Sequence, residues 1–172
     1  PETVGAMLAP RCGNPDTMVF SPVRWRKSDL GLFVEGYVPI LSKSDQDDLI
    51  GLACQDWSAA AGVTFRRVVN RNQADIYVQS VPLDGPGNVL AQAQLPPGDD
   101  RPLFLQMDSR EGVWVKVLEG KRGEILFANV FKHELGHNLG LGHSGSDGSR
   151  NTPPQKPLMA PFYNPEVSRP LP

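Results

Sequence analysis

The sequence predicts an α/β (α+β) fold in which two helices pack on a mostly parallel sheet. Three observations point there. Short apolar runs rich in Val, Leu and Phe are bounded by Gly, Pro and Asn, as strands are. Two longer segments repeat apolar residues at helical spacing. The first three elements follow the order strand, helix, strand, which needs a crossover and so favours parallel pairing.

Leu32–Val38 reads as the first strand, stopped by Pro39. Ser42 and Ser44 are candidate N-caps, with Asp45, Asp47 and Asp48 suited to a first helical turn. Leu49, Leu52, Ala53, Trp57 and Ala60 then mark one helical face ending near Gly62. Val63–Val69 and Ala74–Gln79 are two further strands, divided by the turn residues Asn70 and Asn72. A Pro/Gly/Asp loop from Val81 to Asn88 leads to strand Val89–Gln94, and the loop Pro96–Asp100 leads to strand Leu103–Met107. Val113, Val115 and Val117 alternate, as either a short strand or an extended connector. The second helix is expected over Glu124–Leu139, with Phe127, Phe131, Leu135 and Leu139 as its apolar stripe.

A chain of 172 residues suits one domain with a substantial core. Its net charge of −2 implies no nucleic-acid partner, and Arg24, Arg26 and Lys27 around Trp25, next to Asp29, read as a solvated approach to a strand. No apolar run approaches the ~20 residues that span a membrane. No signal peptide is visible, and a start at Pro1 suggests a processed or trimmed form. Gly and Pro, 17 each, predict much ordered loop.

The chemistry concentrates in His133-Glu134-Leu135-Gly136-His137-Asn138-Leu139-Gly140-Leu141-Gly142-His143, which holds all three histidines of the chain. His133 and His137 are four apart, so on a helix they share a face and can grip one zinc ion. Gly140 permits a sharp exit from the helix, which brings His143 back as a third ligand. Three protein ligands leave one zinc position for a water, and Glu134 is placed to act as its base. His133 lies about 200° round the helix from Phe131 at ~100° per residue, which separates the ligands from the apolar stripe and argues against ordinary core histidines.

These residues resemble the zinc motif of the matrixins, a branch of the metzincin peptidases, and four more features carry the likeness. Ser144 follows the third histidine. Pro157-Leu158-Met159-Ala160-Pro161 is similar to the family's Met-turn, with Met159 beneath the zinc ligands. Pro10-Arg11-Cys12-Gly13-Asn14-Pro15-Asp16 is similar to the cysteine switch, in which Cys12 would take the fourth zinc position and Arg11 and Asp16 would brace the loop. On residue chemistry alone, Cys12 is equally a surface thiol or a partner for Cys54, and Cys54 reads as a buried free cysteine. Leu83–Leu90 and Met107–Glu111 resemble the family's calcium-binding segments. Asp84, Asp108 and Glu111, with the carbonyls of Gly85, Gly87 and Val89, would form an oxygen shell for Ca²⁺; taken alone, D-G-P-G is a turn.

The resemblance implies a twisted, mostly parallel five-stranded sheet with one antiparallel edge strand, a backing helix, an active-site helix and a small irregular C-terminal subdomain with the Met-turn. It divides the chain into a pro-segment remnant, residues 1–20, and a metallopeptidase domain, residues 21–172, with processing near Val19–Ser21. It implies a secreted, monomeric zinc endopeptidase acting on proteins or peptides and held latent by its own pro-segment. Strand Asn88–Gln94, through Leu90 and Ala91, would receive substrate as an added antiparallel strand, and Pro161, Phe162 and Tyr163 would wall a specificity pocket.

Departures from the family pattern carry their own expectations. Gln92 and Gln106 stand where histidines of a second, structural zinc are found, and the loop between Gln79 and Leu83 looks shortened, so that zinc is expected to be absent. The stretch from His143 to Met159, with Gly145, Gly148, Pro153 and Pro154, is longer than usual and suggests a mobile rim. The nine residues past Tyr163 leave little room for a C-terminal helix. A different class of reading is a catalytically silent, zinc-bound binding module or scaffold, against which Glu134 argues because structural zinc needs no base. A metal-trafficking domain is disfavoured because a three-histidine site releases zinc slowly.

Overall fold

The computed structural model describes the backbone of residues 11–12 and all of residues 23–117, 123–143 and 158–160. In chain order its elements are β1 (Arg11–Cys12), β2 (Asp29–Val34), α1 (Lys43–Ala61), β3 (Thr64–Arg67), β4 (Ile76–Val81), β5 (Val89–Ala93), β6 (Leu103–Asp108), β7 (Trp114–Val115), β8 (Ile125–Leu126) and α2 (Phe127–Asn138). The main sheet runs β1-β5-β6-β4-β2-β3. β2, β3, β4 and β6 pair in parallel, and β5 is antiparallel to β6. The five expected strands thus form the expected mixed sheet. The backbone of Arg11–Cys12 adds a sixth member, parallel to β5 and covering its outer edge.

The first strand lies earlier than its hydropathy suggests, at Asp29–Val34 rather than Leu32–Val38. The amides of Glu35 and Gly36 both donate to Val78 O, which ends the regular ladder there. Beyond them, Val38 turns to α1: Gln46 accepts from the Val38 amide and donates to the carbonyls of Val38 and Leu41, each at 2.9 Å. Gln46 is therefore buried, and the inward face of α1 is Gln46, Ile50, Ala53 and Trp57. Leu52 and Ala60, expected on that face, point to solvent. The caps are as expected, with Ser42 accepting from the Asp45 amide and Gly62 left-handed at the end.

One face of the sheet is the core. Leu30, Leu32, Ile76, Val78, Ala91, Ala93, Leu105 and Met107 pack in one cluster with Ile50, Ala53 and Trp57 of α1 and Phe131 and Leu135 of α2. The alternating Val113–Val117 segment resolves into β7, paired in parallel with β8. Trp114 Nε1 donates to Asp108 O at 3.0 Å, and its ring meets Phe127 edge-on at 5.8 Å. Pairing with β7 takes Ile125 and Leu126, so α2 begins at Phe127 rather than Glu124. Among the described residues no helix is long and apolar enough to cross a membrane.

Candidate metal centre

His133 and His137 stand on α2, whose other face is anchored in the core. Phe127, Phe131 and Leu135 are buried, and Trp57 Nε1 donates to the Lys132 carbonyl at 2.9 Å. At the helix end Gly140 adopts φ 99°, its amide donates to His137 O at 2.9 Å, and the Leu141 amide donates to Gly136 O at 3.0 Å. This pair of bonds closes the helix in a left-handed glycine cap. It is also what returns the chain and brings His143 beside His133 and His137.

The three Nε2 atoms lie 3.0, 3.2 and 3.3 Å apart. His133 Nδ1 sits 2.7 Å from Leu158 O, and His137 Nδ1 sits 2.6 Å from Leu141 O. A carbonyl only accepts, so in both rings Nδ1 carries the proton and Nε2 presents a bare lone pair. Burial, reinforced for His133 by its neighbouring rings, pushes the pKa of His133 down to about 3 and that of His137 to about 4, which keeps both rings neutral. Lone pairs crowded at this spacing repel unless a cation joins them. Nitrogens at about 2.0–2.1 Å from a tetrahedral zinc are about 3.3–3.4 Å apart, so the cluster fits the ion closely. Among the described residues these three are the group of His, Cys, Asp or Glu donors within 4.8 Å of one another. The triad fits a catalytic zinc.

Glu134 is fully buried on the same helix. Met159 is buried as expected, and Gly136 explains how it gets so close. A Cβ at Gly136 would lie 2.7 Å from Met159 Sδ and 2.9 Å from Trp57 Cζ2. The turn thus packs directly on the helix backbone one residue before His137, while its Leu158 carbonyl orients His133.

The acidic loop is arranged differently. Asp84 accepts from the Val89 amide at 3.1 Å, Glu111 from the Gly87 amide at 2.6 Å, and Asp108 from the amides of Leu83 and Arg110. Gly85 and Gly87 take positive φ. Burial raises the pKa of Glu111, the Gly87 amide opposes that shift, and the charges of Asp108 and Asp84 add to it. Asp108 is fully buried, and among the described residues its Oδ2 receives no hydrogen bond.

Leu90 and Ala91 lie on β5 as expected, beneath the edge that β1 covers. Pro161, Phe162, Tyr163, the side chain of Cys12 and the segment from Ser144 to Pro157 lie outside the described residues. Cys54 is a free thiol, half-buried against α1's neighbours, and burial pushes its pKa up to about 12. Arg24, Arg26 and Lys27 are exposed, as a solvated approach requires, and only Trp25 turns inward. Trp25 packs against the core and donates to Asn138 O at 2.8 Å, and Lys27 bonds Asp75 at 2.5 Å.

Sequence reasoning missed Asn138. Its buried Nδ2 donates to Gln94 O at 2.8 Å and Phe104 O at 3.1 Å, fastening the metal end of α2 to β5 and β6. The available signal was a polar residue inside the motif on the helix face turned toward the sheet. Gln79 and Glu35 were missed as well. They extend the contact between Gln92 and Gln106 into one hydrogen-bonded row across the sheet.

The matrixin family model matches residues 24–170 of this chain. The chain is 38% identical over 175 residues to interstitial collagenase of Sus scrofa, an alignment covering 94% of this chain and 34% of the relative. It is 37% identical over 174 residues to stromelysin-1 of Mus musculus, covering 94% of this chain and 33% of that relative. The chain thus spans about a third of the length of the curated relatives it matches. By the geometry of its histidines and by likeness along most of its length, the chain belongs to the matrixin family.

Proposed function

We propose that this chain is a zinc-dependent endopeptidase, secreted and monomeric, that hydrolyses peptide bonds in proteins. The observation that carries the reading is the convergence of three imidazole nitrogens to 3.0–3.3 Å beside a buried glutamate. Held by His133, His137 and His143, zinc would supply Lewis-acid polarisation of a carbonyl and would acidify water toward pKa ~7. Glu134 holds the proton taken from that water and returns it to the departing amine. His133 and His137, braced by Leu158 and Leu141, keep their geometry while this happens. Substrate lies in extended form along β5, taking main-chain hydrogen bonds at Leu90 and Ala91, and Pro161, Phe162 and Tyr163 wall the pocket beyond the cleaved bond. The names of the relatives, interstitial collagenase and stromelysin-1, agree with an extracellular protease. Zinc-loaded protein incubated with a mixed peptide library, read by mass spectrometry, is the test. Cleavage supports the enzyme; zinc retained at one equivalent without cleavage by the Cys12→Ala chain favours the silent binding module.

Latency is part of the proposal. Residues 1–20 act as an internal inhibitor and residues 21–172 as the peptidase domain, with Cys12 displacing water by presenting its thiolate. Support comes from β1, whose Cys12 pairs with Ala91 on the edge assigned to substrate. Cys12→Ala should cleave peptide without prior processing, and equal activity of the two chains before processing would remove the switch.

Calcium at the acidic loop is proposed with Asp84, Asp108 and Glu111 as carboxylate donors and the carbonyls of Gly85, Gly87 and Val89 completing the shell. Support comes from the buried Oδ2 of Asp108, which has no hydrogen-bond partner among the described residues, and from Glu111, whose pKa is raised first by burial and further by the charges of Asp108 and Asp84.

A further inference from the structure

Away from the histidines, the outer face of the sheet carries a second ordered polar construction. Gln79 and Gln106 are directly opposed across β4 and β6, and Gln106 and Gln92 across β6 and β5. Side chains so opposed point to the same face and touch. Their amides form a directional row. Gln92 Nε2 donates to Gln106 Oε1 at 2.7 Å, Gln106 Nε2 donates to Gln79 Oε1 at 2.8 Å, and Gln79 Nε2 donates to Glu35 Oε2 at 2.6 Å. Glu35 in turn pairs with Arg71 at 3.2 Å.

The direction of the row matters. Every N–H points toward the Glu35 carboxylate and every C=O points away from it, so the dipoles align and each bond polarises the next. The negative end emerges at Gln92 Oε1, on β5, where no donor among the described residues reaches it. That oxygen lies on the strand whose far edge receives an extended chain, as its pairing with Arg11–Cys12 demonstrates. A peptide paired antiparallel in that place sets one side chain directly opposite Gln92 on the same face.

We propose that Gln92 is a specificity-determining residue whose Oε1 selects a peptide side chain carrying an N–H donor: an amide, an ammonium or a guanidinium. The row gains a fourth rung when such a side chain binds. A carboxylate in that position meets the negative end of the row and is rejected. Gln92 touches the peptide; Glu35 acts on it through two other residues and is a positioning residue. The inference rests on the reading of β5 as the peptide-binding edge.

The test uses the full chain with Cys12→Ala and peptides that differ only by Gln or Glu, nearly isosteric, at each position in turn. One position should prefer Gln over Glu by about tenfold in kcat/KM, in line with a single partly exposed hydrogen bond and its lost counterpart. Gln92→Leu should bring that ratio near one. Glu35→Gln keeps an acceptor for Gln79 but removes the charge, so the ratio should shrink while the row stays formed; a merely structural role would leave the ratio unchanged. No Gln preference at any position, or a ratio that survives Gln92→Leu, overturns the proposal. If the chain cleaves nothing, the peptidase reading has failed on its own. The same peptide pair is then compared by equilibrium binding and by protection of the Val89–Ala93 amides from exchange, where equal binding of Gln and Glu peptides overturns the inference.

Discussion

The histidine cluster and the acidic loop both gather groups that bind cations, yet they use their hydrogen bonds in opposite ways. In the cluster, carbonyls of Leu158 and Leu141 occupy the Nδ1 atoms and leave the Nε2 lone pairs aimed at one point. In the loop, backbone amides of Val89, Gly87, Leu83 and Arg110 are turned onto the carboxylates themselves. The first site is rigid because a capped helix sets the spacing of its rings, and its supporting bonds lie behind the metal position. The second is held by the very groups that an ion would displace or rearrange. Preorganisation therefore separates a centre suited to chemistry from a site suited to stabilising a loop.

The largest expected effect is at Glu134. Glu134→Ala should retain one equivalent of zinc by elemental analysis while peptidase activity falls by about 10²–10⁴, the usual contribution of a general base. Loss of metal together with activity would instead make Glu134 part of the zinc site's support.

Calcium gives the next effect and separates the two regions. Saturating Ca²⁺ at about 100 times its dissociation constant should stabilise the fold by about 2.7 kcal/mol. For a chain of this size that raises Tm by roughly 5–10 °C in calorimetry. Asp108→Asn should abolish the rise and leave zinc content intact; if it also strips zinc, the sites are coupled and the contrast between them fails.

Gly136→Ala sharpens the account of rigidity. Its Cβ would collide with Met159 and Trp57, an overpacking worth about 1–3 kcal/mol. Thermal unfolding should show the loss, and zinc should dissociate faster because Leu158 can no longer hold His133. An unaffected off-rate would mean that the Met-turn supports the fold without orienting the ligand.

The smallest effect lies outside both regions. Burial raises the Cys54 pKa from about 9 to about 12, so folding favours its protonated form. That contribution to stability is complete below pH 9 and is lost as pH rises from 9 to 12. Below pH 9 the folded chain should alkylate slowly at Cys54, and denaturant should release the reaction. Rapid labelling of native Cys54 at pH 8 would contradict its burial.

The difference between the two regions also explains what could be read in advance. His133, His137 and Gly140 are local: a helical period and one glycine turn set their relation, and both survive in the structure. The stripe of Phe127, Phe131 and Leu135 was legible for the same reason. Errors came where long-range pairing outweighed local pattern. Leu52 and Ala60 have the hydropathy of an inner face, but Gln46 and Ile50 set the rotation of α1 because Gln46 answers three backbone groups around Val38. Ile125 and Leu126 fit a helix by propensity and were taken by β7 instead.

By itself the sequence determined the histidine triad, the glutamate beside it and the family likeness, because these depend on residue identity at short, regular spacing. Only the tertiary structure decided that the His133 ring is oriented from Leu158, that Asn138 fastens the metal end of α2 to the sheet, and that four side chains from Glu35 to Gln92 form one aligned row. Those contacts join residues 14–44 positions apart. Strand order and register bring such partners together, and no local preference of the chain encodes either.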